Sequence, residues 1–224
     1  MKLSIGNAFL LGLPDNLVSD LISKASLRRL RAGEALFQIG DDGDGCYHLE
    51  KGVLKVVLMS PQGDERILAF LPSGAIVGDL AMIDALPRSA SVIAVTECEV
   101  HFIGRSTFER LVRQHPEIHR SLVKVLAARL READDTIASL HFLTMKGRVA
   151  RVLLDLAADF GEESHSGAML LPAIFHQKEL AALAGIAREN VSRILSDFER
   201  RGLVTKSEQS YQIEDKAHLE REIG

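Results

Sequence analysis

QKELAALAGIARENVSRILS, residues 177 to 196, decides the reading of this chain. Leu180, Ala181, Ala184, Gly185, Ile186, Val191 and Ile194 stand where two crossing helices need them. Small residues fall at the crossing, glycine falls at the turn, and apolar positions hold the second helix on the first. The pattern predicts a helix-turn-helix whose second helix turns Arg188, Glu189, Asn190, Ser192 and Arg193 outward. Arginine can give two donors to guanine O6 and N7, and a carboxylate can accept from the cytosine amino group. Each good pair contributes about 1–3 kcal/mol of discrimination. A carboxylate aimed at phosphate only repels, so Glu189 suits base reading better than backbone clamping. Between 176 and 206, six basic residues stand against four acidic ones, in a chain of net charge -4. A basic surface here is therefore local. Gly202 to Lys206 and Tyr211 to Ile213 follow as the strands of a wing. The plain alternative, a helical hairpin with a charged face, does not explain why glycine, small residues and an outer Arg-Glu-x-x-x-Arg coincide.

Upstream of this unit, Val149, Val152, Leu153, Leu156 and Phe160 predict a helix over about 146–160, closed by Gly161 and followed by a loop to Gly167. Before it, Ile118, Leu122, Leu126, Leu130, Ala133, Ile137 and Leu140 recur at spacings of three and four, with Pro116 at the first helical position. So long a stripe cannot hide on a small neighbouring domain, and a homodimer joined by a short coiled coil is the economical solution. Residues 31–103 read differently. The short runs 34–38, 46–50, 53–59, 66–71, 91–96 and 99–103 alternate with turns at 40–45, 50–52 and 61–64, the signature of a small antiparallel barrel.

The barrel carries a second motif. Val77-Gly78-Asp79-Leu80-Ala81-Met82 precedes a five-residue loop and Arg88-Ser89-Ala90. Glycine lets backbone amides approach a ligand, and amides at the start of a short helix favour an anion. Arg88 can pair with phosphate oxygens through two donors and Ser89 can add another. Asp79 should avoid a phosphate and accept from a ribose hydroxyl. Together these groups describe a site for a cyclic nucleotide, cyclic AMP or cyclic GMP. The bland reading, a surface ion pair between Asp79 and Arg88, contributes little.

Composition narrows the classes. With 224 residues, 46% hydrophobic and 26% charged, the chain is globular. Its early apolar run, Ala8 to Leu13, is far short of the roughly 20 residues a bilayer requires, which predicts a cytoplasmic protein with no membrane partner. Cys46 and Cys98 give neither a disulfide framework nor a cluster site. His115-Pro116-Glu117-Ile118-His119 misses the spacing of a metalloprotease helix, because proline leaves His115 outside the helix and the glutamate comes one place late. No serine elbow, phosphate-loop lysine or paired carboxylates stand out. The chain is read as a non-enzyme without a metal.

These motifs resemble the CRP/FNR superfamily of bacterial transcription regulators, and within it the CRP-like, cyclic-nucleotide-binding branch. The resemblance runs from about residue 9 to 213, with Gly43-Asp44-Gly45 to Gly52 similar to the first barrel signature and Val77 to Ala94 to the second. It implies an α+β chain: an N-terminal antiparallel β-roll of the cyclic-nucleotide-binding type over 1–115, a dimerisation helix and hinge over 116–142, and a C-terminal winged helix-turn-helix over 143–224. It implies an effector site at Gly78, Asp79, Leu80, Ala81, Arg88, Ser89, Arg129 and Asp134. The implied DNA-binding set is Gln177, Lys178, Arg188, Glu189, Asn190, Ser192 and Arg193. The implied partners are double-stranded DNA, as a palindromic operator with TGTGA-like or TTGAT-like half-sites, a second copy of the chain, and RNA polymerase as a candidate. Three departures stand out. Asp79 replaces the family's usual glutamate, Ala69, Ala133 and Asp134 stand where base-contacting hydroxyls are found, and His176 replaces a capping threonine. Asp134 could accept from an adenine amino group or from guanine donors. The expected mechanism is a ligand-dependent change of dimer arrangement about a hinge at His141 to Thr144. Two alternatives stay open: a regulator of the same family that senses haem ligands or no ligand, and a cyclic-nucleotide-binding module of an enzyme, against which residues 177–196 argue.

Overall fold

The computed structural model describes residues 22, 25–164, 167–207 and 210–224. The run Ala8 to Leu13 and the start of the family resemblance lie outside the described residues. The chain divides into two compact units, 1–132 and 133–224.

In the first unit, β1 (Ser26–Leu30), β8 (Cys98–Gly104), β3 (Gly45–Lys51) and β6 (Ile76–Val77) form one antiparallel sheet in that order, and β2 (Ala35–Phe37), β7 (Ser91–Ala94), β4 (Leu54–Met59) and β5 (Glu65–Leu71) form the other. Alternation along the strands sends Leu49, Val77, Cys98 and Val100 into a core shared with Leu36, Leu54, Leu71 and Val92. The opposite face of the first sheet carries Cys46, Ile76 and Ile103, which pack on Met82, Phe108, Leu111, Ile118, Leu122 and Val125. Those partners come from α1 (Asp79–Asp84), α2 (Arg105–Gln114) and α3 (Glu117–Phe142). The predicted barrel is thus a pair of four-stranded sheets, with two strands, β1 and β6, beyond those expected.

The long helix is where expectation and structure part most. Its single predicted stripe is two. Ile118 and Leu122 are buried together with Val125, whereas Leu130, Ile137 and Leu140 are exposed. Ile118, Leu122, Leu126 and Leu130 follow one another at steps of four, each advancing about 40° round a helix of 3.6 residues per turn, so Leu130 lies about 120° from Ile118 and leaves the buried line.

The second unit is built on α4 (Met145–Phe160), whose start is capped by Thr144, the side chain of which accepts from the Gly147 amide at 3.1 Å. Gly161 closes this helix without a left-handed turn (φ -73°). Glycine is needed there for space, since a Cβ would come 2.4 Å from the Ala157 carbonyl. The predicted loop after it contains β9 (Glu162–Glu163), which pairs with β10 (Met169–Leu170). Then come α5 (Gln177–Ala184) and α6 (Arg188–Arg200), joined through Gly185 at φ +63°. The wing strands β11 (Val204–Lys206) and β12 (Tyr211–Ile213) extend the same sheet, and α7 (Lys216–Arg221) closes the chain. Ala181, Ala184, Val191, Ile194, Leu195 and Phe198 are buried as the helix-turn-helix pattern requires. Each large apolar side chain so buried contributes about 1.5–3 kcal/mol.

Candidate effector pocket and nucleic-acid interface

Arg88 and Asp79 are two of the few charged side chains that the first unit buries, at 4% and 2% exposure. A buried charge must be paired or hydrogen-bonded, and the surroundings of these two define the candidate pocket. The strand β6 ends at Gly78, whose φ of +82° swings the chain into α1 and sets Asp79 at its first position. Arg88 reaches back to this corner. Its Nη1 donates to the carbonyls of Gly45, at 2.8 Å, and Gly78, at 2.7 Å. Its guanidinium carbon lies 4.4 Å from the centre of the Phe37 ring and 5.9 Å from that of Tyr47, so aromatic faces cover the cation. The other edge of the guanidinium is less engaged. Nε is buried with no hydrogen bond, and Nη2 lies 3.8 Å from the exposed carboxylate of Asp44, beyond hydrogen-bond range.

Asp79 shows the same asymmetry. Oδ1 accepts from Nη1 of Arg129 on α3 at 2.9 Å, while Oδ2 is buried without a hydrogen bond. Burial, with the nearby Asp79 charge second, pushes the Cys46 thiol far up from its ordinary value, so Cys46 is a neutral, buried group beside the pocket. Arg105 fixes the frame. Its Nη2 donates to the Gly43 carbonyl at 2.5 Å and to the Ala81 carbonyl at 2.7 Å, joining the glycine-aspartate loop to α1. That joint admits no side chain, because a Cβ on Gly43 would stand 2.2 Å from the Ala81 Cβ.

Gly78, Asp79, Ala81, Arg88 and Arg129 are therefore brought together within the first unit. Leu80 and Ser89 are exposed, and Asp134 is exposed in the second unit. Phe37, Tyr47 and Arg105 were not among the residues singled out from the sequence. Aromatic residues on predicted strands read as ordinary core, and nothing about Arg105 announces that it caps carbonyls more than 20 residues away.

The arrangement suits a small anion bearing hydroxyl groups. An oxyanion can take the Nε–Nη2 edge of Arg88 with two parallel hydrogen bonds, and a hydroxyl can donate to Asp79 Oδ2. The residues present thus fit a cyclic nucleotide, with Arg88 for the phosphate and Asp79 for the sugar.

In the second unit, α6 carries Arg188, Glu189 and Arg193 exposed and Asn190 and Ser192 half-buried. Its N-terminus follows Ala187 and that of α5 follows His176, neither with a side-chain cap, so the first amides of both helices are not consumed by capping side chains. Lys178 is exposed. Gln177 hydrogen-bonds Tyr211, whose phenol pKa burial raises and this bond partly lowers again. Gln177 thereby ties α5 to the wing. Further along α6 a shallow groove of about 450 Å³ is lined by Lys146, Ser192, Arg193, Ser196, Asp197 and Arg200. Asp197 organises its cations. It accepts from Lys146 Nζ at 2.8 Å, pairs with Arg200 and lies 3.6 Å from Arg201 Nη1. The Lys146 hydrogen bond is the main reason its carboxyl is held below the ordinary value.

Two family models match the chain: a cyclic nucleotide-binding domain over residues 27–115 and a Crp-like helix-turn-helix domain over residues 147–222. A CRP-like cAMP-activated global transcriptional regulator of Mycobacterium tuberculosis is 34% identical over 189 residues, 84% of each chain. The cyclic AMP receptor protein of Thermus thermophilus is 34% identical over 215 residues, 96% of each. Among solved structures, the c-di-GMP responsive global regulator CLP of Xanthomonas campestris superposes with a TM-score of 0.77 at 22% identity, covering 90% of this chain and all of its own. That last likeness concerns the fold.

Proposed function

The chain belongs to the CRP-like family of transcription regulators, with a cyclic nucleotide-binding domain and a Crp-like helix-turn-helix, and on that premise we propose that it is a homodimeric, sequence-specific DNA-binding regulator whose operator affinity is set by a cyclic nucleotide in the β-roll. The observation that carries the proposal is the pair of unfilled, buried polar groups in one corner: Arg88 Nε and Asp79 Oδ2. A buried polar atom without a partner costs about 1–3 kcal/mol. A ligand supplying an oxyanion to one and a hydroxyl to the other removes both penalties at once. Gly78 supplies the close backbone approach and Ala81 the wall beside it.

On the DNA side, Arg188, Glu189 and Arg193 read base edges, with Asn190 and Ser192 beside them. Lys178 and Gln177 approach the backbone at the start of α5. Two copies then place their recognition helices in major grooves about 34 Å apart, one turn of a palindromic operator. The effector acts by making contacts in one dimer arrangement that it does not make in the other, and the coupling equals that difference in affinity. The relatives act as transcription regulators, and the same role without catalysis is proposed here.

Calorimetric titration with cyclic AMP, cyclic GMP and cyclic di-GMP, the last because the Xanthomonas regulator responds to it, tests the sensing half. Binding of one of them is expected, with tighter binding to an operator than to a scrambled duplex in its presence. Arg88→Gln should weaken that nucleotide roughly tenfold or more, as loss of a charge-assisted hydrogen bond does. No heat with any of the three, together with operator binding that ignores them, would overturn the effector assignment.

A further inference from the structure

Helix α3 exposes Val123, Leu130 and Ile137 at 64%, 65% and 66%, three apolar residues seven apart. Leu126, Ala133 and Leu140 repeat at the same interval three places on. The two series are the a and d positions of three successive heptads, the seam of a two-stranded coiled coil. On a neighbouring stripe, Ile118, Leu122 and Val125 are buried against the first unit, and Arg129 continues that line to reach Asp79.

In this register Arg129 occupies a g position and Asp134 the e position of the following heptad. A parallel two-stranded coil sets each g side chain against the e side chain five residues on in the other helix, where opposite charges form interhelical ion pairs. Of the three such combinations, Leu122 with Ala127, Arg129 with Asp134, and Thr136 with His141, one joins opposite formal charges. An antiparallel coil sets g against g and e against e, and would pair neither residue with the other. Asp134 is exposed, and among the described residues no ion-pair partner within its own chain is seen for it. Arg129, although bonded to Asp79, keeps 23% of its side chain exposed, enough for a second carboxylate to approach.

We propose that in the homodimer the guanidinium of Arg129 is held between two carboxylates, Asp79 of its own pocket and Asp134 of the partner subunit. Asp134 thereby completes the charge network of the pocket from across the seam and is not the acceptor for a nucleotide base. The proposal rests on the parallel homodimer of the preceding reading and gives it a wire: whatever changes the load on Asp79 changes the grip of Arg129 on the neighbouring helix. Two-fold symmetry makes the contact twice per dimer.

Sedimentation equilibrium of the ligand-free full chain tests it, with Asp134→Asn, Asp134→Arg and, as a seam control, Leu130→Asp. Exposed ion pairs are individually weak, so two of them predict that Asp134→Asn raises the dimer dissociation constant roughly threefold to tenfold and Asp134→Arg raises it further. Both effects should vanish near 1 M salt, where the screening length falls to about 3 Å. Dissociation by Leu130→Asp but not by either Asp134 variant would overturn the ion pair and leave the dimer standing. A change in preference between cyclic AMP and cyclic GMP in Asp134→Asn, with dimer affinity untouched, would return Asp134 to the base. A wild-type protein that sediments as a monomer would end both this inference and the dimeric reading beneath it.

Discussion

A methyl group on Gly78 would stand 2.5 Å from Nη1 of Arg88 and 3.2 Å from the Phe37 ring, on a backbone already at φ +82°. Gly63 has nearly the same backbone, φ +88°, and open space around it. The two positions therefore separate strain from contact. Gly63→Ala should cost only the left-handed penalty of about 1–2 kcal/mol in a urea titration. Gly78→Ala should cost more and should also weaken whichever cyclic nucleotide binds, measured calorimetrically, because the arginine proposed to meet its phosphate is pushed from its two carbonyls. Equal losses in the two variants would mean that Arg88 is not positioned by this corner. The second residue-scale prediction concerns Arg188. It is exposed at the first position of α6 and is not drawn into the Asp197 cluster that engages Lys146, Arg200 and Arg201. Arg188→Ala should flatten the base preference at one operator position by about 1–3 kcal/mol while leaving other positions unchanged. Competition binding against single-base operator variants reads this directly, and a uniform loss across all of them would assign Arg188 to the backbone.

At the scale of elements, adjacent strands β3 and β8 set His48 opposite His101, with ring centres 6.4 Å apart, and His101 Nε2 lies 2.5 Å from Glu50. Burial, then the neighbouring His101, lowers the His48 pKa below its ordinary 6.5, against a smaller opposing pull from Glu50. The unfolded chain therefore takes up a proton near pH 6.5 that the folded strand resists. Stability is lost as pH falls from above 6.5 toward the folded pKa and changes no further below it. The depressed carboxyls Glu34, Asp197 and Glu222 titrate lower, starting from ordinary values of 4.5, 3.8 and 4.5, and leave this window clear. Urea midpoints between pH 7.5 and 5.5 should fall for the wild type and fall less for His48→Gln; parallel slopes would exclude His48 as the source. Elements also show what the sequence could and could not reveal. The helix-turn-helix was legible because its constraints are local: Gly185 at a left-handed turn, Ala181 and Ala184 at a crossing, all within eight residues. β1 was not legible. Ser-Leu-Arg-Arg-Leu has no alternation, because four of its five residues are not buried on either face. The short α2 does carry a helical spacing, Phe108, Leu111 and Val112 at i, i+3 and i+4 against the core, but over fewer than two turns. In the pocket, Gly78, Asp79 and Arg88 could be read from one short motif, whereas Phe37 and Tyr47 converge on it from two strands and Arg105 from the start of α2. Contacts closed by topology leave no spacing to read.

At the scale of the whole molecule, the two functions meet on one helix. Residues 118–129 of α3 lean on the β-roll and bring Arg129 to the pocket, and the heptad residues Val123, Leu130, Ile137 and Leu140 are left exposed for the proposed second copy. This division explains why so many apolar side chains on α3 stay exposed in a single chain: a contiguous exposed apolar face of this length marks an interaction surface. Dimerisation also changes how DNA is held. Once one recognition helix has engaged a half-site, the second binds at an effective concentration fixed by the tether and not by the bulk, and such linkage raises affinity by about 10²–10⁴-fold without a new contact. A charge at a central seam position removes this gain and leaves the reading head intact. Leu130→Asp is suited to that purpose, since Leu130 is 65% exposed and its loss leaves no cavity in either unit. The variant should sediment as a monomer with an unchanged circular dichroism spectrum. It should bind a duplex carrying one half-site as the wild-type protein does, and bind the full palindrome about 10²–10⁴-fold more weakly. Undiminished affinity for the palindrome in a demonstrably monomeric variant would mean that each α6 reads its site independently, and that α3 carries no part of DNA recognition.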